Sequence, residues 1–212
     1  MIIIDSCEQG TPEWLAFKLG VPSSTGFKRI VTTKGEPSKS RAGYLKELAL
    51  ETVTGKRKKT FVSGAMAEGT AREDESRALY ELRTGYTVRQ VAVVFPDEQR
   101  KCLCSPDGLV LSADQPSMIQ IADRGLEAKN PEEDTHYDVL MAGVLPTTHF
   151  CQVQGSLYVT GFDSWDYISY HPDLAPLIIT VKRDEKFISK LASALDIFCL
   201  ELALTVKKLR GG

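Results

Sequence analysis

The chain lacks most of the features that assign a protein to a class at first sight. Its five cysteines are an odd number without a CxxC pair, which argues against a disulfide framework and against a cysteine zinc site. No apolar run approaches the ~20 residues that cross a membrane, and the start from Met1 to Asp5 lacks the parts of a signal peptide. We therefore expect a cytoplasmic protein with reduced thiols and no membrane contact.

An excess of one charge is missing as well, because 26 basic residues nearly balance 28 acidic ones at a formal net charge of −2. No overall field draws such a chain to nucleic acid, so a nucleic-acid function requires locally segregated charge. The sequence contains neither a P-loop nor a dinucleotide-binding fingerprint, and we expect no nucleotide cofactor. The histidines show no metal-ligand spacing, which favours polar or capping roles for His136, His149 and His171.

Hydrophobic periodicity predicts an α/β fold in which helices flank a central mixed sheet. The 212 residues fit one domain, with a helical part over about 1–85, a sheet-containing core over about 86–182 and a C-terminal helix over about 185–209. Helices are predicted from Thr11 to Gly20, from the hydroxyl residues 23–25 through Val31, and over 41–54, 64–83 and 147–160. Strands are predicted over 87–95, 101–105, 109–111, 118–122, 126–129, 165–170 and 177–182.

Two short segments place an acid among apolar strand residues: SPDG at 105–108 and GLEAK at 125–129. Glu127 and Lys129 are two apart, so on a strand both side chains project to one face. One explanation is an ion pair on a solvated sheet face. The other is a Mg²⁺ site, because Mg²⁺ is held by one or two carboxylates plus substrate phosphate, and a nearby lysine can position the attacking water.

These segments resemble the PD-(D/E)xK nucleases, whose pattern is an aspartate followed by Glu-x-Lys after a β-hairpin. Further stretches resemble one branch of them, the phage lambda exonuclease-like family of YqaJ-type viral recombinases. They occur in the family's order and cover most of the chain: WLAFKLG at 14–20, EDESRALYE at 73–81, SPDGL at 105–109, GLEAKNP at 125–131, QVQ at 152–154 with Tyr158, and RDEK at 183–186.

The resemblance implies a restriction-endonuclease-like core and a Mg²⁺-dependent site, in which two ions are expected and Mn²⁺ can substitute. By position in the motifs, Asp107 would bridge the metals, Glu127 would be the second ligand, and the Ala128 carbonyl a further one. Lys129 would position the nucleophilic water.

Two more residues are added to the site by resemblance. Glu73 matches the family's helical acid and would complete the metal site, and Gln152 matches a glutamine near the catalytic centre. On spacing alone, Glu73 would instead form an i,i+4 ion pair with Arg77.

A DNA-binding set is also implied. Lys18 and the hydroxyl residues Ser23, Ser24 and Thr25 would hold a terminal 5′-phosphate at a helix start, although these residues could equally cap the helix. Gln154 and Tyr158, four apart, match a QxxxY element of related nucleases.

The chain departs from the family's pattern at two places. Twenty residues separate Asp107 from Glu127, which predicts a hairpin extended by residues 112–123. The family often has arginine where this chain has Lys18, and lysine cannot grip phosphate bidentately. The basic run at 56–59 is expected to be a solvated loop, with contact to the DNA backbone as the alternative.

The resemblance implies a phage or prophage exonuclease acting in the bacterial cytoplasm. It would degrade one strand of linear duplex DNA in the 5′ to 3′ direction and leave 3′ single-stranded overhangs for recombination. Family members form a ring-shaped homotrimer around DNA and work with a single-strand annealing protein. Two alternatives remain: an end-independent or structure-selective endonuclease on the same core, and a non-catalytic DNA-binding protein.

Overall fold

The computed structural model describes residues 1–57, 72–111 and 122–212. The strands are β1 (Ile2–Ile4), β2 (Thr87–Arg89), β3 (Val93–Phe95), β4 (Gly108–Leu111), β5 (Arg124–Lys129), β6 (Ser164–Ser169) and β7 (Leu177–Lys182). The α-helices are α1 (Pro12–Lys18), α2 (Arg41–Thr54), α3 (Glu73–Thr84), α4 (Glu133–Ala142), α5 (Thr147–Thr160) and α6 (Glu185–Leu209), and a 3-10 helix spans Ser24–Arg29.

Five strands form a mixed sheet in the order β2-β4-β5-β6-β7. The β5–β6 pair is parallel and the other pairs are antiparallel. A parallel pair needs a crossover connection, which α4 and α5 supply between β5 and β6. The predicted fold class, a mixed sheet flanked by helices, is confirmed.

Side chains alternate between the two faces of the sheet, as the period of a strand requires. Leu109, Leu111 and Trp165 belong to the main core, which also contains buried residues of α5 and α6. Val110 and Leu126 pack on the opposite face with Tyr80 of α3. Each face of the sheet is therefore covered by helices, and each covering helix brings side chains to the strand ends.

The strand predicted over 87–95 is wrong as a single element. The chain breaks after Arg89, because β2 pairs with β4 in the main sheet whereas β3 pairs with β1 in a separate two-stranded sheet. The strand predicted over 101–105 is reduced to isolated bridges from Leu103 to Ser23 and from Cys104 to Val94. A continuous valine-rich pattern could not reveal that its two halves serve different sheets.

Several helices were predicted correctly from the sequence pattern. Thr11 caps α1 through a hydrogen bond from the Trp14 amide, and helices 41–54, 147–160 and 185–209 begin and end as predicted. The second helix is a short 3-10 helix that ends at Arg29, and both β1 and α4 were not predicted. Most of the predicted hairpin extension and strand 118–122, and part of helix 64–83, lie outside the described residues.

Within 1–57, 72–111 and 122–212, no helix has both the length and the apolar character needed to cross a bilayer.

Candidate active site

Asp107 lies where the β4–β5 ladder ends. Its backbone N–H donates to the Leu126 carbonyl at 3.1 Å, and its Oδ2 accepts from the Ala128 N–H at 2.7 Å. The following Gly108 is needed, because a Cβ at that position would collide with Val88 on β2. The carboxylate of Asp107 is thereby fixed against the backbone of β5.

The strand β5 continues beyond the start of its partner β4, since Gly108 already pairs with Leu126. The Ala128 N–H turns to Asp107, and the Ala128 carbonyl accepts from the Lys129 ammonium at 3.0 Å. This carbonyl therefore stands beside the Asp107 carboxylate, where the sequence predicted a backbone ligand.

Glu127 and Lys129 share the face of β5 that looks toward α5. The Lys129 ammonium contacts Glu127 Oε1 and lies 3.7 Å from Asp107 Oδ2. Gln152 on α5 donates from Nε2 to the same Glu127 oxygen at 2.5 Å. Glu127 is 1 % exposed, so the alternative of a solvated surface ion pair is wrong.

Burial and neighbouring charges both shift the pKa values of Glu127 and Lys129. The pKa of Glu127 is raised to about 7 by burial, with Asp107 and Glu73 acting in the same direction and Lys129 lowering it. Burial lowers the pKa of Lys129, but Glu127 and Asp107 outweigh it and raise that pKa above its ordinary value. The ammonium is thus held charged by the acids around it.

Glu73 is the first residue of α3 and joins the group from another direction. Burial and then the Asp107 carboxylate raise the pKa of Glu73. Arg77 pairs with Asp74 rather than forming the i,i+4 pair with Glu73. The helix is anchored to the sheet by Tyr80, whose hydroxyl donates to the buried Asp166 carboxylate at 2.5 Å.

Magnesium suits this donor set. Repulsion from Asp107 raises the pKa of both Glu127 and Glu73; a divalent cation would relieve this repulsion, and hard cations prefer oxygen ligands. In the part of the chain that the structure describes, no three potential ligands already stand together in a metal-binding group. The Lys129 ammonium lies against the carboxylates instead.

Lys18, the last residue of α1, lies close enough to Asp107 and Glu127 for both carboxylates to act on its ammonium. Its ammonium stacks on the Trp14 ring, 3.9 Å from the centroid, and the Trp14 indole N–H contacts Ser105 Oγ at 2.9 Å. Burial and Arg57 lower the pKa of Lys18 to about 8, while Asp107 acts in the opposite direction. Arg57, from the predicted basic loop, is therefore a neighbour of this lysine.

The hydroxyl residues 23–25 do not share one environment. Ser24 is buried and its N–H donates to the Leu103 carbonyl at 2.9 Å, and the Ser23 N–H contacts the Tyr44 hydroxyl at 3.3 Å. Thr25 is exposed. Thr25 is thus the most exposed member of this set.

Gln154 and Tyr158 are not brought to the carboxylates. Gln154 is 1 % exposed, its Nε2 donates to the Lys182 carbonyl at 2.8 Å, and its Oε1 accepts from the Asp184 N–H at 2.8 Å. Tyr158 lines a small cavity with Cys102 and Asp196. The nitrogen and the oxygen of the Gln154 amide are thus both hydrogen-bonded to the backbone at the end of β7. The burial of this residue does not fit a contact with DNA.

The sequence did not place His149 or Lys28 at the site. His149 lies one turn before Gln152 on α5, and its ring lies against Tyr167 in a tilted arrangement, with 5.7 Å between centroids. Tyr167 is the register partner of Glu127. The i,i+3 spacing of His149 and Gln152 was a usable signal, because such residues share a helix face.

A family profile fits the site. The YqaJ-like viral recombinase domain matches residues 13–163, which include Asp107, Glu127 and Glu73. The chain belongs to this family. No curated protein is a significant match to its sequence.

Solved structures agree with that membership. The alkaline exonuclease LHK-Exo from Laribacter hongkongensis matches with a TM-score of 0.81 and 26 % identity, covering 94 % of this chain and 96 % of that one. The same values hold for LHK-Exo in complex with dAMP. A phage-related exonuclease from Haemophilus somnus 129PT shares the fold at a TM-score of 0.64 and 10 % identity, over 89 % of this chain and 96 % of that chain. The predicted family and the assignment as a phage-type nuclease are confirmed.

Proposed function

We propose that this chain is a Mg²⁺-dependent exonuclease that degrades the 5′-ended strand of linear duplex DNA and leaves 3′ overhangs for recombination. The observation that carries the proposal is the convergence of Asp107, Glu127 and Lys129 at the ends of β4 and β5, in a chain of the YqaJ-like family.

Each residue of this site has a separate role in the proposed hydrolysis. Asp107, Glu127 and the Ala128 carbonyl would hold Mg²⁺, with Glu73 completing the set. The bound metal would supply Lewis-acid stabilisation of charge at phosphorus. Lys129, held charged between the carboxylates, positions the attacking water. Gln152 restrains Glu127 by a hydrogen bond, so that the carboxylate keeps its orientation.

The products follow from which bond breaks. Water adds to the phosphorus, the P–O3′ bond breaks, and the leaving oxygen takes a proton to become a 3′-hydroxyl. A 5′-mononucleotide is released, and the shortened strand again carries a 5′-phosphate. The dAMP complex of LHK-Exo, a deoxynucleoside monophosphate complex of a similar protein, supports this type of product.

The space for DNA adjoins the acids. A cleft of about 910 Å³ is bounded in part by Gln9, Trp14, Glu73 and Arg77. Gln9 closes one wall, since its Nε2 donates to the Pro106 carbonyl at 2.7 Å, next to Asp107. Lys18 and Thr25 are the residues that we propose to contact the terminal 5′-phosphate.

We further propose a homotrimeric ring around DNA, a single-strand annealing protein as partner, and action in the cytoplasm of a bacterial host. A closed ring supports processivity in a chain whose net charge is only −2, because enclosure of the DNA replaces strong affinity.

The decisive assay uses end-labelled linear duplex and covalently closed circular DNA with Mg²⁺. The linear duplex should be shortened from its 5′ ends and the circle should stay intact. Asp107→Ala should abolish cleavage, whereas Lys208→Ala, at the exposed end of α6, should not. Cleavage of the circle would favour the endonuclease, and binding without Mg²⁺-dependent cleavage would favour the non-catalytic alternative.

End recognition is tested by comparing 5′-phosphate with 5′-hydroxyl duplexes. The phosphorylated end should be degraded faster, and Lys18→Ala should remove that preference while leaving the slower attack on 5′-hydroxyl ends. Equal rates on both ends in the unmutated protein would contradict a phosphate-reading role for Lys18.

A further inference from the structure

Lys28 stands on the open side of the 3-10 helix. Residues three apart on such a helix eclipse one another, so Lys28 lies above Thr25 on the same side. Both residues are exposed. Thr25 and the Lys28 ammonium therefore share one exposed side of the 3-10 helix.

The 3-10 helix is pressed against α5, which fixes Lys28 relative to that helix. A Cβ at Gly155 of α5 would collide with the Phe27 ring, so only glycine permits the approach. The Cys151 thiol reaches back to the Val31 carbonyl at 3.9 Å. The Lys28 ammonium consequently acts on both His149 and Cys151.

Both this ammonium and that of Lys129 on β5 act on His149. The His149 ring lies against Tyr167, the register partner of Glu127, in a tilted arrangement. Burial, then Lys129 and Lys28, lower the pKa of His149 to about 4. The imidazole is therefore neutral and carries one N–H donor near neutral pH.

Lys28 differs from Lys129, whose ammonium is paired with Glu127 and Asp107. Among the residues that the structure describes, no carboxylate lies within ion-pair distance of Lys28, and none is among the groups that act on His149. An exposed ammonium without a carboxylate partner, with a neutral N–H donor near it, attracts an anion. In a nuclease the abundant anion is phosphate of the DNA strand.

We propose that Lys28 and His149 form a second phosphate subsite, beside Thr25 and on the α5 side of Lys129. Its ligand is a phosphate of the bound DNA, either the terminal 5′-phosphate or an internal phosphodiester. The assignment rests on the proposed action on DNA, but it is tested by binding rather than by cleavage.

The test is duplex binding in Ca²⁺, which occupies carboxylate sites in place of Mg²⁺, over a range of salt concentrations. Lys28→Ala should weaken binding and reduce the salt dependence by about one counterion, the value for one lost phosphate contact. Lys28→Arg should retain both. His149→Phe keeps a ring against Tyr167 but loses the nitrogens, and it should also weaken binding. Lys208→Ala is the control.

Two ligands, one with a 5′-phosphate and one with a 5′-hydroxyl, separate the sources of phosphate. A loss confined to the phosphorylated duplex assigns the subsite to the terminal group, and an equal loss on both assigns it to the backbone. Unchanged affinity and salt slope in both Lys28→Ala and His149→Phe overturn the proposal. Unmutated protein that binds but never cleaves in Mg²⁺ would overturn the exonuclease alone.

Discussion

Lys129 is the side chain around which the other proposed catalytic groups are arranged. Its ammonium contacts Glu127, lies 3.7 Å from Asp107 and donates to the Ala128 carbonyl. Removal of the amine should leave the carboxylates in place but take away the group that we propose to orient water. The consequence should appear in the chemical step and not in the affinity for DNA.

Lys129→Ala should reduce turnover by about 10²–10⁴, the usual range for a positioned acid–base group. Single-turnover cleavage and duplex binding, measured side by side, check this. A loss of binding in proportion to rate would contradict the role and identify Lys129 as a phosphate clamp.

Glu127 should make metal binding depend on pH. A carboxylate must be ionised to bind Mg²⁺, and burial raises the pKa of Glu127 from 4.5 to about 7. The Mg²⁺ concentration for half-maximal rate should therefore fall as the pH rises toward 7, by at most about tenfold per unit, and level off above.

The metal-free protein should lose stability over the same pH range in which Mg²⁺ binding becomes tighter. Between pH 4.5 and about 7 the folded state binds a proton at Glu127 that the unfolded chain releases, so the free energy of unfolding falls as the pH rises. Glu127→Gln should flatten this profile in urea titrations. An unchanged profile in that variant would show that another group titrates.

The two glutamines of α5 have different surroundings and offer a matched pair. Gln152→Ala should raise the Mg²⁺ requirement by about 10- to 100-fold, the usual cost of losing a group that orients a metal ligand. Gln154→Ala should instead lower the free energy of unfolding by about 1–3 kcal/mol, since it leaves buried backbone groups unpaired. Mg²⁺ titration of activity and urea unfolding distinguish them, and the same profile for both variants would contradict these assignments.

Secondary elements bring these side chains together by a few close contacts. Tyr80 ties α3 to Asp166 on β6, which keeps Glu73 at the sheet edge. Gly155 lets the 3-10 helix touch α5, which aligns Lys28 and Thr25 with the catalytic strand. A change at the second contact should therefore disturb both folding and recognition of DNA.

Gly155→Ala should destabilise the protein by about 1–3 kcal/mol, because the added methyl collides with Phe27. Gly43→Ala is the control: that glycine lies within α2 with open space around it, so alanine should stabilise by about 0.5–1 kcal/mol. Thermal and urea unfolding check both signs. Equal effects of the two substitutions would mean that the 3-10 helix moves freely away from α5.

The molecule exposes two apolar faces on different helices. Ile197, Leu200 and Leu204 follow one side of α6, and Tyr137 and Met141 follow one side of α4, each more than half exposed. A ring requires two different faces on each subunit, because its interfaces are heterologous. Apolar faces of this kind are typical of protein interfaces.

Sedimentation of the unmutated protein should give three subunits. Leu200→Glu or Met141→Glu should lower that mass and shorten the DNA run degraded per binding event, if the ring closes through these faces. Lys208→Ala should change neither quantity. A strict monomer would remove the ring as the explanation of processivity, and three subunits in both Glu variants would place the interfaces elsewhere.

The ordered set of motifs, from WLAFKLG at 14–20 to RDEK at 183–186, was sufficient to predict the family. Hydrophobic periodicity along the chain was sufficient to predict the fold class. The catalytic roles of Asp107, Glu127, Lys129, Glu73 and Gln152 stay predictions, although the structure gathers these residues. Gln154 was assigned to DNA on its motif alone, and its burial assigns it to the fold.

The sequence by itself determined the features that depend only on residues close together in the chain. These are the cap at Thr11, the helix over 41–54 and the shared face of Glu127 and Lys129. Burial and long-range pairing depend on residues far apart in the chain. They divide the 87–95 segment between two sheets, raise the pKa of Glu127 and bring the charge of Lys28 near enough to act on His149. No periodicity encodes these features, because each requires two distant segments to be packed against each other before it exists.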